Sequence, residues 1–354
     1  MRKIRVGKRW IGEGEPVYLV AELSANHKQS FDRAIQIIKA AKEAGADAIK
    51  IQTYTPDTLT IESEKEWFRI RGEGPWAGKT LYQLYGEAYT PWDWHAGLQR
   101  AAYDVGLEFF STPFDATAVD FLESLDVPAY KVASFEIVDL PLLRKIASTG
   151  KPVIVSTGMA SLGEIEEGVK TLRENGVEQI ALLKCTSAYP ASPREMNLRT
   201  MSPLSSTFDV VVGLSDHTLG GCVAVAAVAL GACIVEKHLT LARADGGPDS
   251  GFSMEPEEFA GMARDIRQAE QALGRVAYER TATESTNVCF RRSLFVVQNV
   301  KKGERFTERN IRPIRPGHGL APRYLDQVLG MTASCDIARG TPLSWDLISG
   351  KGDL

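Results

Sequence analysis

Gly213-Leu-Ser-Asp-His217 and Val235-Glu-Lys-His238 decide how this 354-residue chain is read. Each closes a short apolar run, 210–214 and 232–235. Runs of that length without polar alternation are what strands buried on both faces look like. Each carries a histidine at or just past its C-terminal end. Two imidazoles at the same end of neighbouring parallel strands can share one divalent cation. The alternative is a pair of histidines hydrogen-bonded inside a polar mouth.

Working outward, similar apolar runs recur at 17–22, 47–52, 107–112, 129–134, 152–157, 179–185, 209–215 and 232–238. Helical patterns at 30–44, 92–105, 115–125, 139–148, 161–175 and 255–273 separate or follow them. Ser161 with Glu164 three residues on reads as a capping box. Eight strand–helix alternations predict an α/β fold, a (β/α)8 TIM barrel, over residues 1–274. An open doubly wound sheet is the alternative; it would usually carry a Gly-rich phosphate loop, and no GxGxxG is present. The stretch 53–91 is too long for an ordinary connection and is expected to be a functional loop over the site. Residues 275–289 are polar and read as a linker. Residues 290–354 change character and predict a small β-rich domain. It holds two similar units, Val300-Lys-Lys-Gly303-Glu-Arg-Phe306-Thr307 and Ile337-Ala-Arg-Gly340-Thr-Pro-Leu343-Ser344, whose Thr307 and Ser344 are candidate helix caps.

Composition narrows the functional classes. Net charge is -4, the pI is near 5.9, and no basic run suggests nucleic acid or an anionic membrane. No apolar stretch reaches spanning length, and Met1-Arg-Lys-Ile-Arg lacks the apolar core of a signal peptide, so a cytoplasmic protein is expected. Cys185, Cys222, Cys233, Cys289 and Cys335 show no CxxC spacing and read as buried thiols. Cys185 lies near Thr186 and Ser187, but no histidine is beside it in sequence, which favours packing over nucleophilic catalysis.

The predicted strand ends are polar one after another: Glu22, Asn26 and His27; Lys50 and Gln52; Thr112; Lys131 and Ser134; Ser156 and Thr157; Thr186, Ser187 and Tyr189; Ser215 and His217; Glu236, Lys237 and His238. In this architecture the C-terminal ends of the strands carry the active site. Lys50 and Lys131 put cations into a nearly closed mouth. They call for an anionic substrate or for ion pairs with Glu22, Glu236 or Asp216. The hydroxyls of Thr112, Ser134, Ser156 and Ser215 suit phosphate oxygens. Glu22 is the sharpest acid–base candidate, with orientation of an imidazole as its alternative role. Asp249, in Gly246-Gly-Pro-Asp249-Ser, is a ligand candidate or a turn residue. Tyr82, Tyr85, Trp92 and Trp94 either line a sugar site or pack.

These motifs resemble the sialic acid synthase (NeuB-like) family across essentially the whole chain. The matching residues are Ala21-Glu-Leu-Ser-Ala-Asn-His27, Ala44-Gly-Ala-Asp-Ala-Ile-Lys-Ile-Gln52, Ser111-Thr-Pro-Phe-Asp115, Lys131-Val-Ala-Ser134, Ser156-Thr-Gly-Met159, Gly213-Leu-Ser-Asp-His217 and Glu236-Lys-His238. The C-terminal part resembles the family's antifreeze-like (SAF) domain through Ile314-Arg-Pro-Gly-His-Gly319. Within the family, Glu22 to His27 and Leu81 to Trp92 look like the branch that makes pseudaminic acid; neuraminate and legionaminate synthases are the neighbouring alternatives. A different class, a sugar-binding protein without catalysis, is disfavoured because Glu22, His217 and His238 are all present. The resemblance implies condensation of phosphoenolpyruvate with a diacetamido trideoxy hexose. It implies Mn(II) or Mg(II) on His217 and His238. Phosphoenolpyruvate would meet Lys50, Thr112, Lys131, Ser134, Ser156, Ser187 and Ser215, and the sugar Gln52 and Tyr189. It further implies a domain-swapped homodimer in which Arg315 reaches the partner's sugar.

Overall fold

The apolar runs become eight parallel strands closed into a barrel, in a computed structural model that describes residues 2–71 and 76–350. A hairpin comes first, β1 (Lys3–Val6) antiparallel to β2 (Arg9–Gly12). The barrel strands are β3 (Tyr18–Glu22), β4 (Ala48–Thr53), β5 (Glu108–Pro113), β6 (Tyr130–Val132), β7 (Val153–Ser156), β8 (Ile180–Cys185), β9 (Val211–Asp216) and β10 (Ile234–His238). Pairing of β10 with β3 closes the ring, so the expected TIM barrel is the observed fold. Parallel neighbours need long crossovers, and helices supply them. They are α1 (Phe31–Glu43); α2 (Pro56–Leu59), α3 (Leu81–Ala88) and α4 (His95–Asp104) between β4 and β5; then α5 (Ala116–Ser124), α6 (Leu140–Ala147), α7 (Leu162–Glu174), α8 (Met201–Phe208), α9 (Cys222–Ala229) and α10 (Pro256–Leu273). The Ser161/Glu164 capping box starts α7.

Side chains alternate across each strand, which divides the core in two. Leu19, Ala21, Ile49, Leu214 and Val235 face outward and pack under the helices. Tyr18, Val20, Ala48, Phe110, Ile154 and Ile234 face inward and fill the barrel from its N-terminal end. The hairpin adds Ile4, Val6 and Ile11 to this inner cluster and stoppers the barrel floor. Each of these burials contributes on the order of 2 kcal/mol. The hairpin turns at Gly7, whose φ is 57° and where a Cβ would run into the Glu108 carboxylate.

Above the apolar plug the same inward positions become polar. The alternation also corrects one expectation: Glu236 and His238 face in, so Lys237 between them faces out, as does Asp216. These two form a buried pair at 2.7 Å behind the barrel wall and take no part in the mouth.

The chain divides into two compact units, Met1–Gly274 and Arg275–Leu354. In the second unit, residues 281–287, read as part of a linker, form a capped helix, α11 (Ala282–Asn287), started by Thr281 and Glu284. β11 (Ser293–Val296) pairs antiparallel with β12 (Ile311–Ile314). After a helical turn, α12 (Leu325–Val328), β13 (Thr332–Ala333) pairs with β14 (Ile348–Ser349). Leu294, Val296, Phe306, Ile311, Val328 and Leu343 form the unit's own core. The two similar sequence units meet: Val300 and Ile337 exchange backbone hydrogen bonds at 2.9 and 2.8 Å. Ser344 precedes a 3-10 turn without capping it through its side chain.

Among the described residues no helix is long and apolar enough to cross a membrane. All five cysteines are free, but only Cys185 is buried; Cys222, Cys289 and Cys335 are exposed and Cys233 is half-buried, because the helix and loop positions they occupy face solvent.

Candidate active site

Strand register brings the charged residues together. Glu22 lies opposite His238 on one side and Lys50 on the other, and Glu236 lies opposite Ser215. Lys50 Nζ is 2.6 Å from Glu22 Oε2 and 3.7 Å from Glu236 Oε1, and it donates to Thr112 Oγ1 at 3.2 Å. Gln52 Nε2 donates to Glu22 Oε1 at 3.1 Å and to Ser24 Oγ at 3.2 Å. Burial pushes the Glu22 carboxyl up to about 6, against the pull of Lys50. Burial also opposes the charges of Lys50 and Glu236, but Glu22 and then Glu236 outweigh it at Lys50 and raise its pKa, while Lys131 and then Lys50 outweigh it at Glu236 and lower its pKa.

The two lysines therefore differ. Lys50 is paired. Lys131 has no carboxylate within salt-bridge distance among the described residues; it donates to Ser156 Oγ at 2.6 Å and to the Val132 carbonyl at 2.8 Å. Burial lowers its pKa, with Glu236 acting the other way. A buried cation without a partner is a place for an anion. Beside it, Ser134 Oγ accepts the Gly158 N–H at 3.0 Å. A Cβ on Gly158 would collide with the hydroxyls of both Ser134 and Ser187, so these groups form a narrow cradle that only glycine leaves open. Ser215 Oγ donates to Glu236 at 3.1 Å.

The two imidazoles stand with ring centroids 5.3 Å apart. His217 Nδ1 lies 3.0 Å from the Thr186 carbonyl, so it carries the proton and leaves Nε2 with the free lone pair. His238 Nδ1 is buried without a hydrogen-bond partner. Burial, with His217 and Lys50 adding to it, holds His238 well below the usual imidazole range, in the neutral form that ligates. Burial works against a charged His217, yet Cys185 and Thr186 raise it; the surroundings favour positive charge there. The pair fits a divalent cation. No group of three or more His, Cys, Asp or Glu able to hold a metal occurs among the described residues, so two imidazoles are what the protein offers. Cys185 is buried, as expected of a packing thiol, and the fold adds a neighbour distant in sequence: His217 Nδ1 lies 3.9 Å from its sulfur.

A cavity of about 480 Å³ opens above these strand ends. Gln52, Tyr189, His238 and Asp249 line it, as does Ser24, whose hydroxyl bonds Asp249. The Ala25 N–H donates to the same carboxylate oxygen at 3.3 Å, and burial raises the Asp249 pKa. Tyr189 packs on His217 and Phe252 with centroids 4.5 and 5.0 Å away. The excursion after β4 roofs the cavity through Leu59, Ile70, Trp76 and α3; its residues 72–75 lie outside the described residues. Of the four aromatic candidates only Tyr85 lines the cavity. Tyr82 bonds Asp57, Trp92 stacks on Phe121, and Trp94 packs against His27 and Phe31. Asn26 and His27 brace loops: Asn26 donates to Leu239 and Ser253, and His27 accepts the Gln29 N–H. Arg315 is exposed in the second unit, just past β12. Glu136 carries no local signal in the sequence. It lines the cavity with one carboxylate oxygen buried and unpartnered, and burial pushes it up to about 7 against the pull of Lys131.

Residues 37–278 match the NeuB family, and residues 291–349 match the SAF domain. A Campylobacter jejuni (strain 81-176) protein described as pseudaminic acid synthase is 46% identical over 327 residues, 92% of this chain and 95% of that protein. A Helicobacter pylori protein of the same description is 44% identical over 333 residues, 94% of this chain and 98% of that one. The crystal structure of an N-acetylneuraminic acid synthetase from Leptospira borgpetersenii, in complex with citrate, superposes with a TM-score of 0.72 at 31% identity, over 81% of this chain and 95% of that one. With its barrel matched across most of its length and its second unit matched as SAF, the chain belongs to the NeuB family.

Proposed function

We propose that this chain is a pseudaminic acid synthase. It joins phosphoenolpyruvate to 2,4-diacetamido-2,4,6-trideoxy-altropyranose and releases phosphate by C–O cleavage, giving a nine-carbon α-keto acid. The observation that carries the reading is the buried Lys131, donating to the Ser156 hydroxyl and without a carboxylate in salt-bridge range among the described residues, in the barrel whose strand ends also carry two imidazoles able to hold a cation. The similarity to proteins of that name over more than nine-tenths of the chain supports it.

Lys131, Ser134, Ser156 and Ser187 would hold the phosphate, with Lys50, Thr112 and Ser215 around the rest of phosphoenolpyruvate. Mn(II) or Mg(II) on His217 and His238 supplies Lewis acidity at the open-chain sugar's aldehyde. Imidazole ligands suit Mn(II) better than Mg(II). Carbon 3 of phosphoenolpyruvate bonds to the aldehyde carbon, water adds at carbon 2, and the tetrahedral intermediate expels phosphate. Glu22, poised near 6, takes the proton from the attacking water. Glu136, poised near 7 in the cavity wall, is the second carboxyl able to pass a proton at neutral pH. Gln52, Tyr189 and Asp249 orient the sugar. The active species is a two-fold homodimer in which Arg315 of each chain completes the other chain's site. In keeping with that role, Arg315 is exposed and without a carboxylate partner among the described residues.

The test is phosphate release from phosphoenolpyruvate with Mn(II), each acceptor offered in turn. The altro-configured sugar should exceed N-acetylmannosamine by ~100-fold in kcat/KM. Comparable turnover of both would move the chain to the neuraminate branch, and no release with any acceptor would make it a binding protein.

A further inference from the structure

We infer that the roof of the cavity, through Leu81 and Leu84 of α3 with Leu59 and Ile70, reads the far end of the acceptor and selects a methyl group over a hydroxymethyl group at carbon 6. This rests on the reaction proposed above. In that reaction carbon 1 lies beside His238, which lines the cavity together with Gln52 and Asp249. A hexose extended away from that point ends its carbon chain under the roof.

The roof is built to be apolar. Leu81, Leu84, Tyr85 and Ala88 line the cavity, the i, i+3, i+4 and i+7 positions of one helical face. A capping box between Thr80 and Gln83 fixes where that helix begins. Ile70 is tied to it through the backbone: its N–H donates to Lys79 at 2.9 Å and its carbonyl accepts from Gly78 at 3.2 Å. The Trp76 indole N–H is already engaged, donating to the Pro248 carbonyl at 2.8 Å. A hydroxyl set against Leu59, Ile70, Leu81 and Leu84 gives up water and gains no hydrogen bond from those four side chains, whereas a methyl meets carbon on several sides. An apolar wall rejects an added hydroxyl only moderately, on the order of 10- to 100-fold.

The experiment compares two acceptors of one configuration, the 2,4-diacetamido-2,4,6-trideoxy hexose and its counterpart with a hydroxyl at carbon 6. The enzymes are wild type, Leu81→Asn and Ile70→Asn, both residues half-buried and replaceable. Wild type should prefer the deoxy sugar by ~10- to 100-fold in kcat/KM. Each variant should lower that ratio at least threefold, leave the KM for phosphoenolpyruvate unchanged and keep the wild-type circular dichroism. A wild-type ratio near one overturns the inference while leaving the reaction standing. So does an unchanged ratio in both folded, active variants, and if one variant fails to fold the other decides. Absence of phosphate release with either acceptor defeats the reaction itself, and the inference with it.

Discussion

Lys131→Met and Lys50→Met remove the same charge from one barrel mouth and should behave differently. Lys131 has no carboxylate within salt-bridge distance among the described residues, and burial holds its pKa down, so its charge is unfavourable in the folded protein. Replacing it with an apolar chain of similar length should leave stability unchanged or raised. The loss should fall on phosphoenolpyruvate: a hydrogen bond to a charged group is worth ~1.5–3 kcal/mol, or about 10- to 100-fold in affinity. Lys50 has its pKa raised by Glu22 and Glu236, so its charge stabilises the fold. Lys50→Met strands two buried carboxylates, which costs ~3–5 kcal/mol, on the order of 10 °C in melting temperature for a barrel this size. Calorimetric titration with phosphoenolpyruvate and thermal melts at pH 7.5 (about one unit above the imidazole range) separate the two effects. If Lys131→Met bound phosphoenolpyruvate within twofold of wild type, or the two variants melted alike, the reading of Lys131 as the charge kept for an anion and of Lys50 as the charge that also supports the fold would be wrong.

Glu136 has a folded pKa raised to about 7, so its neutral form is favoured on folding, and it subtracts stability as pH rises from the unfolded value of 4.5 through about 7. Glu136→Gln should therefore melt several degrees higher than wild type at pH 8 and equally at pH 4.5, with activity reduced by ~100-fold or more; equal melts at both values would remove the argument. EDTA should abolish activity and Mn(II) restore it. His217→Ala/His238→Ala should show no bound metal by elemental analysis, and full activity of metal-free protein would refute the site. Arg315→Ala and His217→Ala chains, each nearly inactive, should regain up to about half of wild-type activity per mixed dimer after subunit exchange. No recovery despite proven exchange would mean that Arg315 does not serve the partner's barrel.

The barrel was legible because both-face burial leaves uninterrupted apolar runs, and the mouth because each run ends in polar residues. Parity separates neighbours within a polar strand end: 236 and 238 point in, so 237 cannot, and Lys237 neutralises Asp216 behind the wall. α9 gave no helical signal since Cys222-Val-Ala-Val-Ala-Ala-Val-Ala229 is apolar on every side. β1 and β2 are four residues each, too short for alternation to register. Glu136 looks like any loop glutamate; only burial under a roof contributed from a distant stretch makes it hold its proton up to about neutral pH. The Cys185–His217 approach likewise exists only once β8 and β9 are side by side.

The hairpin stopper gives the molecule a kinetic direction. A cylinder closed at its floor by Ile4, Val6 and Ile11 has a single door, and molecules that share it must queue. In the proposed reaction phosphoenolpyruvate lies nearest the floor and must enter before the sugar, while phosphate formed at the same depth leaves after the nine-carbon acid above it. Phosphate would then compete with phosphoenolpyruvate for the empty enzyme, and an excess of acceptor would slow the first step by waiting in the doorway.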